Sequence, residues 1–235
     1  MAVTFETDAG PGDAGGPGRP SSGVPRSTIV AFAVGGLILL AIAATAFAWR
    51  DEGGGSERSS WAGRVLDPAP ARPVTDLVDT SGAPFDLADA TRGRLTLVFF
   101  GYTNCPDICS IQMATLKQSL DRVEVPATVV FITTDPARDT PERLRSWLDS
   151  FDASFIGATG TSGAIERAQR DMGVTVAVAD TTSPDENYTV GHSSAVYVFT
   201  ADDLAHLAYP AGTRQEDWVD DLPRIADEPW SETSR

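Results

Sequence analysis

At 235 residues the chain has room for a membrane anchor and one domain with a sizeable hydrophobic core, and no internal repeat suggests more. Its 33 acidic against 18 basic side chains give a formal net charge of −15, and Lys117 is the only lysine. Such a surface repels nucleic acid and anionic membranes, which excludes nucleic-acid binding as a function class and reads most simply as a solubilising exterior.

Residues 1–28 are rich in Gly, Pro, Ser and acidic side chains, lack hydrophobic periodicity and are expected to form a disordered tail. Residues 29–49 follow as 21 positions without a charge, and a bilayer needs about 20. A single transmembrane helix is predicted there. Ala46-Phe47-Ala48 has the form of a signal-peptidase site, but the apolar run exceeds a signal core of about 7–15 residues, which favours an uncleaved anchor. Arg19 and Arg26 before the span and Arg50, Arg58 and Arg64 after it leave orientation undecided by charge. A lone N-terminal anchor of this kind leaves the long C-terminal part on the extracytoplasmic side, a compartment where thiols oxidise unless reduced or metallated. Residues 50–73, with Gly53-Gly54-Gly55 and Asp67-Pro68-Ala69-Pro70, read as a linker.

The domain is expected over residues 74–227, followed by a C-terminal tail at 228–235. It opens with a hairpin around Thr80-Ser81-Gly82. A continuous apolar strand at 95–100 precedes a helix at 110–123, where Met113, Leu116, Leu120 and Val123 recur at helical spacing. A second strand at 127–133 leads through Asp135-Pro136-Ala137-Arg138-Asp139 into a helix with Pro141 at its first position. A strand at 154–158, a helix at 162–172 stopped by Gly173 and a weaker strand at 175–179 come next. After a polar loop, the strand at 194–200 turns back through 204–209. A last helix is predicted to open on Thr213-Arg214-Gln215-Glu216 and to end or kink at Pro223. Buried strands alternating with helices predict an α/β sheet covered on its faces.

The chain's two cysteines both lie directly after the 95–100 strand, in Gly101-Tyr102-Thr103-Asn104-Cys105-Pro106-Asp107-Ile108-Cys109. Functional groups of open α/β sheets gather beyond the carboxyl ends of strands, so the placement suits a site. Cys105 and Cys109, four positions apart, share a face if a helix begins between them, and the helix dipole is expected to depress a thiol pKa there. Three outcomes stay open: a fixed disulfide, a redox pair, or two ligands to a soft metal. A bridge across so short a loop removes less than about 3 kcal/mol of chain entropy, which argues against a staple. Of the two histidines, His206 sits within a hairpin strand and reads as structural or surface. His192, at the start of the 194–200 strand, can complete a set of two thiolates and an imidazole. That set suits copper in either oxidation state, whereas zinc wants a fourth ligand. Asp135, Arg138 and Asp139 can shape the mouth of the site or serve only as a turn; Tyr102 and Phe100 read as packing.

Three blocks together resemble the Sco/SenC family of membrane-anchored copper chaperones for cytochrome c oxidase assembly: Phe100-Gly101-Tyr102-Thr103 leading into Cys105 to Cys109, Asp135-Pro136-Ala137-Arg138-Asp139-Thr140-Pro141-Glu142, and Gly191-His192-Ser193 before Tyr197. The resemblance implies a thioredoxin-like central sheet flanked by helices, with Cys105, Cys109 and His192 binding one copper ion, Cu(I) or Cu(II), outside the cytoplasmic membrane. It implies delivery of that copper to the dinuclear copper site of cytochrome c oxidase subunit II. Alternatively, Cys105 and Cys109 would be the redox residues of a thiol-disulfide reductase for that subunit, itself served by a thioredoxin-like reductant, or of a redox or copper sensor. An ordinary thioredoxin-type reductase has a two-residue cysteine spacing and a proline where this chain reads Val190-Gly191-His192. Asn104 and Ser110 depart from the family's usual histidine and proline, and neither replaces a proposed ligand.

Overall fold

The computed structural model describes residues 61–180 and 188–230. The elements run β1 (Arg64–Val65), β2 (Leu77–Asp79), β3 (Pro84–Phe85), α1 (Leu87–Thr91), β4 (Thr96–Gly101), α2 (Ile108–Leu120), β5 (Thr128–Thr133), α3 (Pro141–Leu148), β6 (Ile156–Thr159), α4 (Ser162–Asp171), β7 (Val178–Ala179), β8 (Val190–Gly191), β9 (Val196–Phe199), β10 (Ala205–Tyr209) and α5 (Gln215–Asp227). Eight strands make one mixed sheet in the order β1-β10-β9-β4-β5-β6-β2-β3, and β7 and β8 pair separately. β4, β5 and β6 are parallel; β9 runs antiparallel on the other flank of β4. The expected N-terminal hairpin is β2 with β3, which continues the sheet beyond β6.

Every residue of β4 is buried because the strand is covered on both faces. Side chains alternate across a strand, so Leu97 and Phe99 join Met113, Leu116, Leu144, Leu148, Trp218 and Leu222 under α2, α3 and α5. Val98 and Phe100 point the opposite way and meet Leu87, Ile165 and Ala168 under α1 and α4. Burying each such side chain stabilises the fold by about 1.5–3 kcal/mol. Local signals agree with this packing. The Thr140 hydroxyl accepts from the Arg143 N–H with Pro141 in the first turn of α3, and Gly173 follows α4 at φ 67°, the left-handed geometry of a helix stop.

Three expectations change. Residues 61–72, predicted as linker, pack on the fold: β1 pairs with β10, and the buried Arg72 guanidinium is held by Asp203 at 3.0 Å, the Thr96 hydroxyl and the carbonyls of Arg94 and Thr200. The start of the predicted tail is likewise part of the core, since Trp230 is 6% exposed, stacks on His206 and lies against Trp61. Pro223 neither ends nor interrupts α5, whose cap is Arg214 with Asp217 rather than the Thr213 and Glu216 pair. The burial of Trp218, Leu222 and Ile225 on one side of α5 outweighs the one backbone hydrogen bond that Pro223 cannot make. The predicted transmembrane span, 29–49, lies outside the described residues; among those described, no helix is long and apolar enough to cross a membrane.

Trp230→Ala is expected to lower unfolding stability by about 3–5 kcal/mol, read as a lower urea midpoint by circular dichroism; a change below about 1 kcal/mol would mean that the end of the chain is not part of the core.

Candidate metal centre

β4 ends at Gly101, and the backbone turns at once, with the Cys105 N–H donating to the Tyr102 carbonyl at 3.2 Å. α2 then starts at Ile108, which puts Cys109 in its first turn under the sheet, completely buried, while Cys105 stays half-buried at the surface. Both are free thiols. Gly101 is the reason the two segments can lie so close. A Cβ at that position would stand 2.9 Å from Cys109 Sγ and 2.8 Å from the Phe99 ring.

The histidine arrives from the other side of the sheet. Val196 in β9 pairs with Phe99 in β4, so the chain just ahead of β9 lies at the carboxyl end of β4. His192 Nε2 comes within 3.7 Å of Cys109 Sγ, a residue 83 positions earlier. Its Nδ1 lies 2.8 Å from the Ser193 carbonyl oxygen, which can only accept, so Nδ1 carries the proton and Nε2 offers its lone pair. The ring stands edge-on to Phe99 and Tyr102, with centroids 6.0 and 5.6 Å away. One donor atom from each of Cys105, Cys109 and His192 lies within 4.8 Å of the others. The Cys/His set expected from the sequence thus converges, and His206 stands apart, stacked on Trp230 and bonded to Asp202 at 2.8 Å.

The electrostatics differ from expectation at one point. Burial pushes the Cys109 thiol well above its ordinary value, and the neighbouring Cys105 adds to the rise; the dipole of α2 does not overcome the loss of water. Burial also holds His192 below its usual 6.5, so its imidazole is neutral at pH 7. Two thiols and a neutral imidazole, shielded from solvent on one side, form a soft donor set that gives up thiol protons when a metal binds.

Several groups around the set had little signal in the sequence. The carboxylate of Asp139, fully buried, accepts from the Thr103 N–H at 3.0 Å and from the Thr103 and Thr133 hydroxyls at 2.5 and 2.6 Å, pinning the cysteine loop to the end of β5. Arg143, from α3, donates to the Thr103 hydroxyl at 2.9 Å and to Asn104 Oδ1 at 2.8 Å. Tyr102 is more than packing: its hydroxyl accepts from the Val190 N–H at 3.2 Å. The paired acids of Asp135-Pro136-Ala137-Arg138-Asp139 were the one visible clue, and they belong to the site rather than to a bare turn. A groove of about 410 Å³ runs beside His192, lined by Thr175, Gly191, Ser193, Ser194, Ala195 and Pro210.

A family model described as SCO1/SenC matches residues 68–227. The chain is 36% identical over 126 residues to an SCO2-like protein of Rickettsia prowazekii, covering 52% of this chain and 61% of that one. It is 29% identical over 220 residues to the mitochondrial SCO2 homolog of Bos taurus, covering 92% and 81%. Among solved structures it is similar to yeast Sco1 with copper bound, with a TM-score of 0.65, 26% identity and coverage of 72% and 95%. The thioredoxin-like α/β fold implied by the sequence resemblance is the fold shared with such structures. The chain spans about three fifths of the length of the first curated relatives it matches.

Gly101→Ala is expected to destabilise the domain by about 1–3 kcal/mol, because the added methyl must displace either the Cys109 sulfur or the Phe99 ring. Denaturant unfolding of the two proteins checks it, and equal midpoints would mean that the loop yields without cost.

Proposed function

This chain belongs to the SCO1/SenC family, and from that premise we propose that it is a copper-binding metallochaperone that delivers its metal to the dinuclear copper site of cytochrome c oxidase subunit II. Cys105, Cys109 and His192 hold one copper ion. The observation that carries this reading is the convergence of two free thiols and one imidazole to within 4.8 Å. The thiolates favour Cu(I) and the imidazole tolerates Cu(II), so one set of residues serves both oxidation states. The half-buried Cys105 is the sulfur an acceptor can reach, while Cys109 and His192 anchor the metal from beneath. Residues 29–49 are the anchor that keeps the domain, residues 61–230, at the extracytoplasmic face of the membrane, where an oxidase subunit is within reach. Yeast Sco1 and an Arabidopsis ScoI, both solved with copper bound, support the choice of metal.

The alternative is a thiol-disulfide reductase acting on the same subunit. It is disfavoured by the buried Cys109 thiol, whose raised pKa leaves little thiolate to attack the mixed disulfide between Cys105 and a substrate and so release the substrate thiol.

Competition against a Cu(I) chelator tests the site. The reduced chain is expected to bind one Cu(I); Cys109→Ser should cost on the order of a hundredfold in affinity and His192→Ala about tenfold, a ratio that corresponds to about 1.4 kcal/mol. Unchanged affinity in His192→Ala, or in Cys109→Ser, would sink the three-ligand site. Transfer of copper from the loaded chain to an apo oxidase subunit, against reduction of that subunit's disulfide, separates chaperone from reductase.

Apparent Cu(I) affinity should also rise with pH. Each thiol that must lose a proton contributes about tenfold per pH unit at all pH values below its own pKa. His192, depressed below 6.5, is already neutral at pH 7 and steepens the dependence only in acid. A flat profile between pH 6 and 8 would mean that no thiol proton is displaced.

A further inference from the structure

β4 and α2 place Cys109 within the core and Cys105 at its edge; pairing with β4 brings the start of β9 to the same end of the sheet, but His192 lies four residues ahead of the paired Val196, next to a hairpin outside that ladder. β7 and β8 pair with each other at only two positions, Val178 with Gly191 and Ala179 with Val190, outside the main sheet. An isolated two-stranded hairpin is marginal in water, and both residues of β7 are exposed. His192 follows this hairpin by one residue.

One cluster binds the hairpin to the rest of the fold. Tyr188, four residues before His192, donates its hydroxyl to Asp135 Oδ1 at 2.7 Å. The Arg138 guanidinium lies over the Tyr188 ring, 3.6 Å from its centroid, and is also 5.7 Å from that of Tyr102. Arg138 pairs with Asp135 from within the same loop, and Asp135, 3% exposed, is held further by its own N–H, which donates to the Thr133 hydroxyl oxygen at 3.0 Å. The partner of Val190 is the Tyr102 hydroxyl, and the ring of Tyr102 meets His192 edge-on.

We propose that Tyr188, Arg138 and Asp135 form a latch that sets the position of the His192 imidazole against the two cysteines. They are positioning residues; none supplies a donor atom to the site. The inference rests on the copper-site reading and adds to it that the final placement of the ligands differs: Cys109 is held by core packing, whereas the imidazole, once β9 has brought its segment to the end of β4, is held by a polar and stacking contact centred on the buried Asp135. The soft thiolates carry most of the Cu(I) affinity, with complete loss of the imidazole costing about tenfold, whereas Cu(II) leans harder on the nitrogen donor, so loosening the latch without removing the imidazole should penalise the two oxidation states unequally.

The test uses the 235-residue chain with Tyr188→Phe, which removes only the hydroxyl, and Arg138→Lys, which keeps the charge and loses the planar stack. Each is compared with the unaltered chain and with His192→Ala. The readouts are Cu(II) affinity, nitrogen coupling in the Cu(II) electron paramagnetic resonance spectrum, Cu(I) affinity by chelator competition, and the unfolding midpoint. Loss of one hydrogen bond to a buried carboxylate should weaken Cu(II) binding about tenfold and reduce the nitrogen coupling, with Cu(I) affinity changed less than about threefold and the fold intact. The latch is overturned if both variants keep the Cu(II) affinity and nitrogen coupling of the unaltered chain while His192→Ala loses them, or if Cu(I) and Cu(II) affinities fall equally. If His192→Ala itself leaves the nitrogen coupling unchanged, the three-ligand site fails and the latch with it. Should Arg138→Lys fail to fold, Tyr188→Phe decides alone.

Discussion

Val196 faces Phe99 across the antiparallel ladder between β9 and β4, and that register determines where residue 192 can lie. Side chains alternate along a strand, so a slip of one residue would turn Val196 and Val198 away from the α2 face and bring Tyr197 and Phe199 in their place. The two buried faces forbid it. Both halves of the donor set therefore inherit their position from one strand: β4 carries the cysteine loop at its end and fixes by pairing where the histidine segment comes down. Gly101 then sets the depth at which the loop can sit, because no larger residue leaves room for the Cys109 sulfur.

Burial is the dominant electrostatic influence at this site. It raises the Cys109 thiol and lowers the His192 imidazole, favouring the neutral form of both. At the proposed site, a copper ion that replaced the thiol protons would meet Cys109 and His192 already largely withdrawn from water, a desolvation offset by the hydrophobic core that encloses Cys109. The charged residues nearby do a different task. Asp139 and Asp135 take their hydrogen bonds from Thr103, Thr133, Tyr188 and Arg138, holding loops in place. The net charge of −15, so prominent in the composition, has no evident part in the geometry of the site.

The elements legible in the sequence are those whose causes are local or repeated. β4, β5 and β9 are uninterrupted apolar runs, α3 announces itself through Thr140 and Pro141, and α4 stops at Gly173. The three donors were legible because chemically distinctive residues are scarce: two cysteines and two histidines leave few combinations. What was not legible depends on contacts between distant residues. Nothing near Arg72 says that Asp203 will neutralise it, nothing near Trp61 points to Trp230, and the tyrosines at 102 and 188 look like any buried aromatic until their hydroxyls find Val190 and Asp135. Pro223 misled for the same reason, since a helix breaker by local rule is overridden by the apolar face that α5 presents to the core.

The tilted contact of Trp61 with Trp230, ring centroids 5.5 Å apart, joins the two ends of the described fold, with Arg224 lying over Trp61 and the Ala62 N–H bonded to Asp221 at 2.8 Å. Fraying from the termini is the ordinary route by which a small domain begins to open. Here neither end of the described fold can peel away without disturbing the other. A pull applied to the amino-terminal end of the described fold is shared with α5 and β10 before it reaches β4, so the clasp takes the strain first.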